Sequence, residues 1–125
     1  MTPFVYLFME NLRVSFKNMI GGYKGNFVHD DLLRWIGEIL DVLSFLTKKG
    51  IVHGDIKPDN TTVNEDGALK LIDFDAPFSM RNGATGCYTG DDCAPEYWLT
   101  YQIDTKCEVW AAAATFYSLI YTDLP

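Results

Sequence analysis

His53-Gly54-Asp55-Ile56-Lys57-Pro58-Asp59-Asn60, separated by twelve residues from Asp73-Phe74-Asp75, is the stretch that decides the fold. One polar loop carries a carboxylate, an ammonium group two residues on, and an amide three beyond that. Thr61-Thr62-Val63, Asn64-Glu65-Asp66-Gly67 and Ala68 to Ile72 then read as a hairpin, with Asp-Gly supplying the residue that tolerates positive φ. The hairpin returns the chain so that a second carboxylate, Asp73, ends beside the first loop. This grouping suits phosphoryl transfer. Asp55 can accept or orient a hydroxyl proton, and Lys57 can neutralise charge on the moving group. Asn60 and Asp73 offer oxygen ligands to magnesium. Any one of these residues alone reads as a polar turn, with Asp59-Asn60 capping a hairpin. The ordered set in its strand–loop–strand context carries the chemistry.

Working upstream, Ile51-Val52 is a short extended piece. Before it, Leu32, Leu33, Trp35, Ile36, Ile39, Leu40, Leu43 and Leu46 recur at helical spacing. Asp30 and Asp31 supply cap-type residues, Lys48 and Lys49 occupy the last turn, and Gly50 is the stop. The glycine-rich stretch from Asn18 to Asn26 reads as a loop. Phe4-Val5-Tyr6-Leu7-Phe8-Met9 reads as a buried strand. Downstream, Asp73 to Tyr97 is a polar, glycine-containing segment of a length usually reserved for function or disorder. Thr105 and Glu108 have capping-box spacing, and Val109, Ala112, Ala113, Phe116, Leu119 and Ile120 follow as an apolar helix. Four alanines, Ala111 to Ala114, permit close approach of another backbone. The element set is α+β, mainly α.

The 125 residues suffice for one small domain, and 48% hydrophobic content allows a core. A net charge of −7 without a basic patch excludes an ordinary nucleic-acid binder. Cys87, Cys93 and Cys107 are too few and too irregular for a disulfide framework or a zinc pattern, so reduced thiols in an intracellular protein, cytoplasmic or nuclear, are expected. There is no signal-peptide pattern, and the longest apolar run, Trp110 to Ile120, is too short to span a bilayer. Trp35, Trp98 and Trp110 read as core residues. His29 reads as a surface or loop residue, and His53 as a structural brace for the polar loop.

His53 to Asn60 resembles the catalytic loop of eukaryotic-type protein kinases, and Asp73-Phe74-Asp75 resembles their metal-binding D-F-G. Ala94-Pro95-Glu96 matches the A-P-E that closes the activation segment, and Thr89 falls where the family has a threonine contacting the catalytic loop. Glu108-Val109-Trp110 resembles the D-V-W that opens the central helix of the large lobe. Val5 to Leu12 resembles the strand and hinge that hold adenine. The resemblance implies Met9 as gatekeeper, with Glu10 and Leu12 offering backbone groups to the base. It implies Asp55 and Lys57 as catalytic residues, Asn60 and Asp73 as magnesium ligands, and Mg-ATP as cofactor. Lys57 points to the serine/threonine class. A narrower resemblance, to the mitotic-checkpoint (Bub-type) kinases, rests on H-G-D-I-K-P-D-N, Leu71 to Phe74, Met80 and Ala113 to Tyr117; the A-P-E counts against it.

The pattern also departs from the family. Gly54 replaces an arginine that pairs with a phosphate on the activation segment, so activation by phosphorylation at Thr85, Tyr88 or Thr89 is not expected. Asp75 replaces the metal-loop glycine, Glu108 replaces the helix aspartate that holds the catalytic-loop backbone, and Thr62 replaces an apolar floor for adenine. Thr105 with Glu108 also has the plainer reading of a capping box alone. No Gly-rich phosphate loop, strand lysine or partner glutamate is seen, and the family would continue with further helices. Residues 1–125 are thus expected to form a partial kinase-like domain, from hinge to central helix, with Val109, Phe116, Leu119 and Ile120 in a partly exposed patch that favours self-association. Three readings follow: a serine/threonine kinase completed by missing parts, acting on a protein substrate; a non-catalytic module that binds a partner such as a full kinase; or a truncated gene product. No membrane or nucleic-acid partner is expected.

Overall fold

The computed structural model describes residues 3–22, 29–74, 78–79, 93–96, 99 and 104–121. Helix α1 (Phe16–Gly22), helix α2 (His29–Lys49) and helix α3 (Thr105–Ile120) pack around a small sheet. That sheet has the order β1 (Leu12–Ser15), β3 (Thr61–Asn64), β4 (Leu69–Leu71), with both pairings antiparallel. Strand β2 (Ile51–Val52) pairs antiparallel with β5 (Phe78–Ser79), which ties the approach to the polar loop to the segment beyond Asp73.

Helix α2 follows from its apolar spacing. Trp35, Ile39, Leu43 and Leu46 form the buried stripe, while Leu33 and Leu40 face outward. Asp30 and Asp31 lie inside the first turn, so they act on the helix dipole and not as the cap. At the other end Gly50 adopts φ 68°, the left-handed conformation that stops a helix, and its N–H donates to Thr47 O at 3.0 Å. The β3–β4 hairpin forms at the Asp-Gly turn, with Gly67 at φ 80°. Helix α2 also holds this turn. Arg34 Nη2 and Trp35 Nε1 each donate to Gly67 O at 2.9 Å, and Glu38 Oε2 accepts the Leu69 N–H at 2.9 Å, covering the outer edge of β4.

The core centres on Phe16, fully buried between Trp35 (ring centroids 5.5 Å apart) and Phe116 (5.3 Å, edge-to-face). One residue thus joins all three helices. Ala111 and Ala112 are buried in α3, consistent with the close approach that small side chains allow.

Several sequence expectations need correction. Phe4 to Met9 is not a buried strand: it has no regular structure, and its side chains are exposed, Phe8 by 93%. Among the described residues no strand lies beside it, and a strand without a ladder leaves its N–H and C=O groups unpaired. The strand forms instead at Leu12–Ser15, where β3 supplies partners. Residues 16–22 are helical, so the loop expected from Asn18 is at most the part from 23 onward, outside the described residues. Helix α3 is capped by Asp104, whose Oδ1 accepts from Lys106 N and Cys107 N at 2.9 Å, and not by a Thr105–Glu108 box. Phe116 and Leu119 are core residues, and the outward face carries Val109, Trp110, Tyr117 and Ile120. Trp110 is therefore not in the core. Trp98, Cys87, Met80 and the threonines and tyrosine at 85–89 lie outside the described residues.

Two outcomes test this architecture. Phe16→Ala should cost about 3–5 kcal/mol in urea denaturation, whereas Phe45→Ala, on the exposed face of α2, should change stability by under about 1 kcal/mol. The backbone hydrogen bonds it accepts hold the Asp104 carboxyl below its ordinary value. A depressed carboxyl stabilises the fold above the unfolded pKa, and this contribution is lost as pH falls through the folded value. Asp104→Ala should therefore cost about 0.5–2 kcal/mol at pH 7, and its difference from wild type should begin to shrink only as pH falls below the ordinary carboxyl value of about 4 and close once the lower folded value is passed.

Candidate functional site

The polar loop between β2 and β3 is built from backbone conformations that few residues adopt. Gly54 has φ 86°, in the left-handed region where a side chain would strain the chain. Its N–H donates to Glu108 Oε1 at 3.0 Å, and Glu108 is 3% exposed. A carboxylate from the first turn of α3 thus fixes the loop from 54 residues away. Glutamate, standing where the resemblance implies an aspartate, spans the distance. His53 is buried and uses both ring nitrogens. Nδ1 accepts the Asp55 N–H at 3.0 Å, so Nε2 carries the proton and donates to Ile72 O at 2.7 Å. It is the structural brace expected from the sequence.

Asp55, Lys57 and Asn60 converge. Lys57 Nζ lies 3.5 Å from Asp55 Oδ2, and Asn60 Nδ2 donates to Asp55 O at 2.9 Å and to Asp55 Oδ2 at 3.1 Å. Asn60 sits at the end of the 3-10 turn Pro58–Asn60 and is nearly buried. With Nδ2 committed to Asp55, its Oδ1 is the end left to meet a cation. Asp73 is delivered to this loop by its neighbours. Ile72 N–H donates to Asn60 O at 2.9 Å while Ile72 O accepts from His53, and the Phe74 ring packs edge-on to His53 at 4.5 Å. Between these tethers Asp73 takes φ 67° with an exposed side chain. A non-glycine residue held there is a strained one, of the kind concentrated at functional sites. Asp75 lies outside the described residues.

The residues expected to meet adenine sit along the neighbouring hairpin. Leu12 pairs with Asn64 in the β1–β3 ladder, Met9 is exposed, and Glu10 reaches the hairpin through its side chain. Thr62 is buried, and its hydroxyl donates to Lys70 O at 2.8 Å, so its polarity is absorbed by the sheet. Three long-range pairs were invisible in sequence spacing: Glu38 with Leu69, Glu10 with Asn64, and Lys17 Nζ with Asp59 Oδ1 at 2.9 Å. The Lys17 hydrogen bond holds the Asp59 carboxyl below its ordinary range. Both side chains are largely exposed, so the pair contributes under about 1 kcal/mol.

Behind the site, Ala94 and Cys93 are buried with Cys107, and both cysteines are free. Burial pushes both thiols above their ordinary value, so at neutral pH they remain protonated and unreactive. Among the described residues no group of three or more His, Cys, Asp or Glu side chains could hold a metal. The oxygen pair of Asn60 and Asp73 suits magnesium, which binds through one or two carboxylates and keeps its remaining positions for water and phosphate.

Comparison with known proteins gives a consistent picture. A family model described as the protein kinase domain matches residues 2–125. An Aurora kinase of Candida glabrata is 32% identical over 121 residues, 93% of this chain and 33% of that protein. A PAS domain-containing serine/threonine-protein kinase of Mus musculus is 33% identical over 93 residues, 70% of this chain and 7% of that protein. Serine/threonine-protein kinase kin-29 of Caenorhabditis briggsae is 32% identical over 108 residues, 82% of this chain and 13% of that protein. The chain spans a third or less of the length of each of these relatives.

The Glu108 anchor has a direct test. Glu108→Ala leaves the Gly54 N–H without its acceptor and should cost about 1–3 kcal/mol. Glu108→Gln keeps an oxygen there and should cost less than half as much. Urea denaturation gives the energies, and hydrogen exchange at Gly54 reports the bond itself.

Proposed function

The chain belongs to the protein kinase domain family, and on that premise we propose that it carries the phosphoryl-transfer site of a serine/threonine kinase acting on Mg-ATP and a protein substrate. What supports this reading is the clustering of Asp55, Lys57 and Asn60, with Asp73 next in the chain to Ile72, whose backbone is bonded to this loop. Asp55 orients the substrate hydroxyl and accepts its proton, and Asn60 holds that carboxylate in place through Nδ2. Lys57, 3.5 Å from Asp55, offers its ammonium group to the charge that grows on the transferred group. Asn60 Oδ1 and the Asp73 carboxylate would hold magnesium, whose charge would neutralise that of the phosphates. Met9, Glu10 and Leu12 form the side toward the adenine base, Glu10 and Leu12 through their backbone groups. A cytoplasmic or nuclear setting belongs to the same reading, in keeping with two free, buried cysteines.

Transfer at a useful rate also requires groups that clamp the nucleotide phosphates, since this chemistry depends on positioning. Full activity is therefore assigned to the site in a longer kinase domain, and the 125 residues alone are expected to bind nucleotide weakly and to turn over little. A second reading is a non-catalytic kinase-like module that binds a partner kinase or a second copy of itself. The apolar run Phe4–Met9 and the exposed Trp110 and Tyr117 of α3 favour it.

Thermal shift with millimolar Mg-ATP separates the two. The catalytic reading expects a rise in melting temperature that is lost in Asp73→Asn and reduced when a chelator removes magnesium. No shift at millimolar nucleotide would favour the binding module. In a chain extended to a full domain, Asp55→Asn should lower kcat at least 100-fold with little change in nucleotide affinity.

A further inference from the structure

Residues 3–11 present an unusual combination. They have no regular structure, their side chains are exposed, and among the described residues their backbone makes no hydrogen bond outside the sheet. One side chain ties this segment to the rest of the fold. Glu10 Oε1 accepts from Asn64 Nδ2 at 2.7 Å, and Glu10 Oε2 lies 3.6 Å from Lys70 Nζ. Asn64 is itself fixed. It is 6% exposed, and its Oδ1 accepts from Asp66 N at 3.1 Å and Ala68 N at 2.9 Å. Its backbone closes the hairpin turn by donating to Ala68 O and accepting from Gly67 N, both at 3.0 Å. With Oδ1 held by two backbone donors, the amide cannot rotate, and Nδ2 must point at Glu10.

We propose that Glu10 and Asn64 are positioning residues for nucleotide binding: their hydrogen bond sets the backbone of residues 9–12 against the β3–β4 hairpin so that its unpaired groups are presented to the adenine ring. This deepens the phosphoryl-transfer reading and rests on it for the identity of the ligand. The Asn64 anchor lies in the turn at the far end of β3 from Asn60, so one hairpin carries the magnesium ligand at one end and the base-side strut at the other. A free segment that must order on binding gives up affinity, and a strut in place beforehand removes that cost. Asn64 has no contact with the ligand in this account. It acts only through Glu10.

A polarity swap tests the strut. Asn64→Asp keeps the Oδ1 cap of the turn but sets a carboxylate against Glu10, so the NMR order parameters of the backbone at residues 9–12 should fall and adenosine affinity should drop about tenfold. Adding Glu10→Gln places an amide donor opposite the new carboxylate. The double variant should recover both the order and the adenosine affinity, while Glu10→Gln alone loses both. Adenosine is the probe because it lacks the phosphates that Asp73 and Asn60 address. Recovery by the double variant supports the strut. Equal loss in the single and double variants, or unchanged order parameters in Asn64→Asp, overturns it. If the wild-type chain is ordered at 9–12, with that order restored by the swap, but binds neither adenosine nor Mg-ATP, the strut stands as structure and its assignment to nucleotide is overturned along with the kinase reading.

Discussion

The hydrogen bond from Gly54 N–H to the buried carboxylate of Glu108 is the constraint on which the site depends. It joins the first turn of α3 to a loop whose other side-chain restraints, from His53 and Asn60, are largely local. The loop is short, carries left-handed backbone at Gly54, and holds a half-buried aspartate and lysine. Ordering such a segment costs about 1–2 kcal/mol for each residue fixed. A buried carboxyl oxygen that accepts a backbone N–H is costly to remove, since the N–H would be left unpaired. The helix start itself is capped by Asp104, and Glu108, one residue past the capping-box position that this cap defines, is turned inward to Gly54.

His53 extends the same logic across the hairpin. By accepting from Asp55 N–H and donating to Ile72 O it fixes its own tautomer and bridges the two chain segments that bear the carboxylates. Asn60 repeats the bridge through its backbone oxygen. The left-handed Asp73 is thus held from both sides: residue 72 is hydrogen-bonded through both its N–H and its C=O, and the ring of residue 74 packs edge-on to the bridging imidazole. Strain at Asp73 is carried by the restraints on its two neighbours.

Much of this was legible in the sequence, and the parts that were not share a cause. The long helix, its glycine stop and the Asp-Gly hairpin were readable because each is written in local spacing and in a residue, Gly50 or Gly67, whose backbone freedom the turn requires. The loop chemistry was readable because Asp55, Lys57, Asn60 and Asp73 keep a strict order. The failures at Phe4–Met9 and Trp110 come from equating apolar with buried, although burial depends on what lies alongside, which local sequence does not encode. Asn18 was placed in a loop because glycines at 21 and 22 outweighed Phe16 and Met19, which the core secures through Trp35 and Phe116. The pairs Glu38–Leu69 and Glu10–Asn64 join residues 31 and 54 positions apart. Nothing in either neighbourhood announces the other.

The Glu38 carboxylate on Leu69 has an effect beyond holding a turn. With that N–H occupied and α2 lying across it, the outer rim of the three-stranded sheet offers a visiting peptide no complete ladder. Among the described residues, the open rim of this sheet is therefore the opposite one, along Leu12–Ser15. A sheet with one closed rim can accept a guest strand on one side but cannot be extended from both.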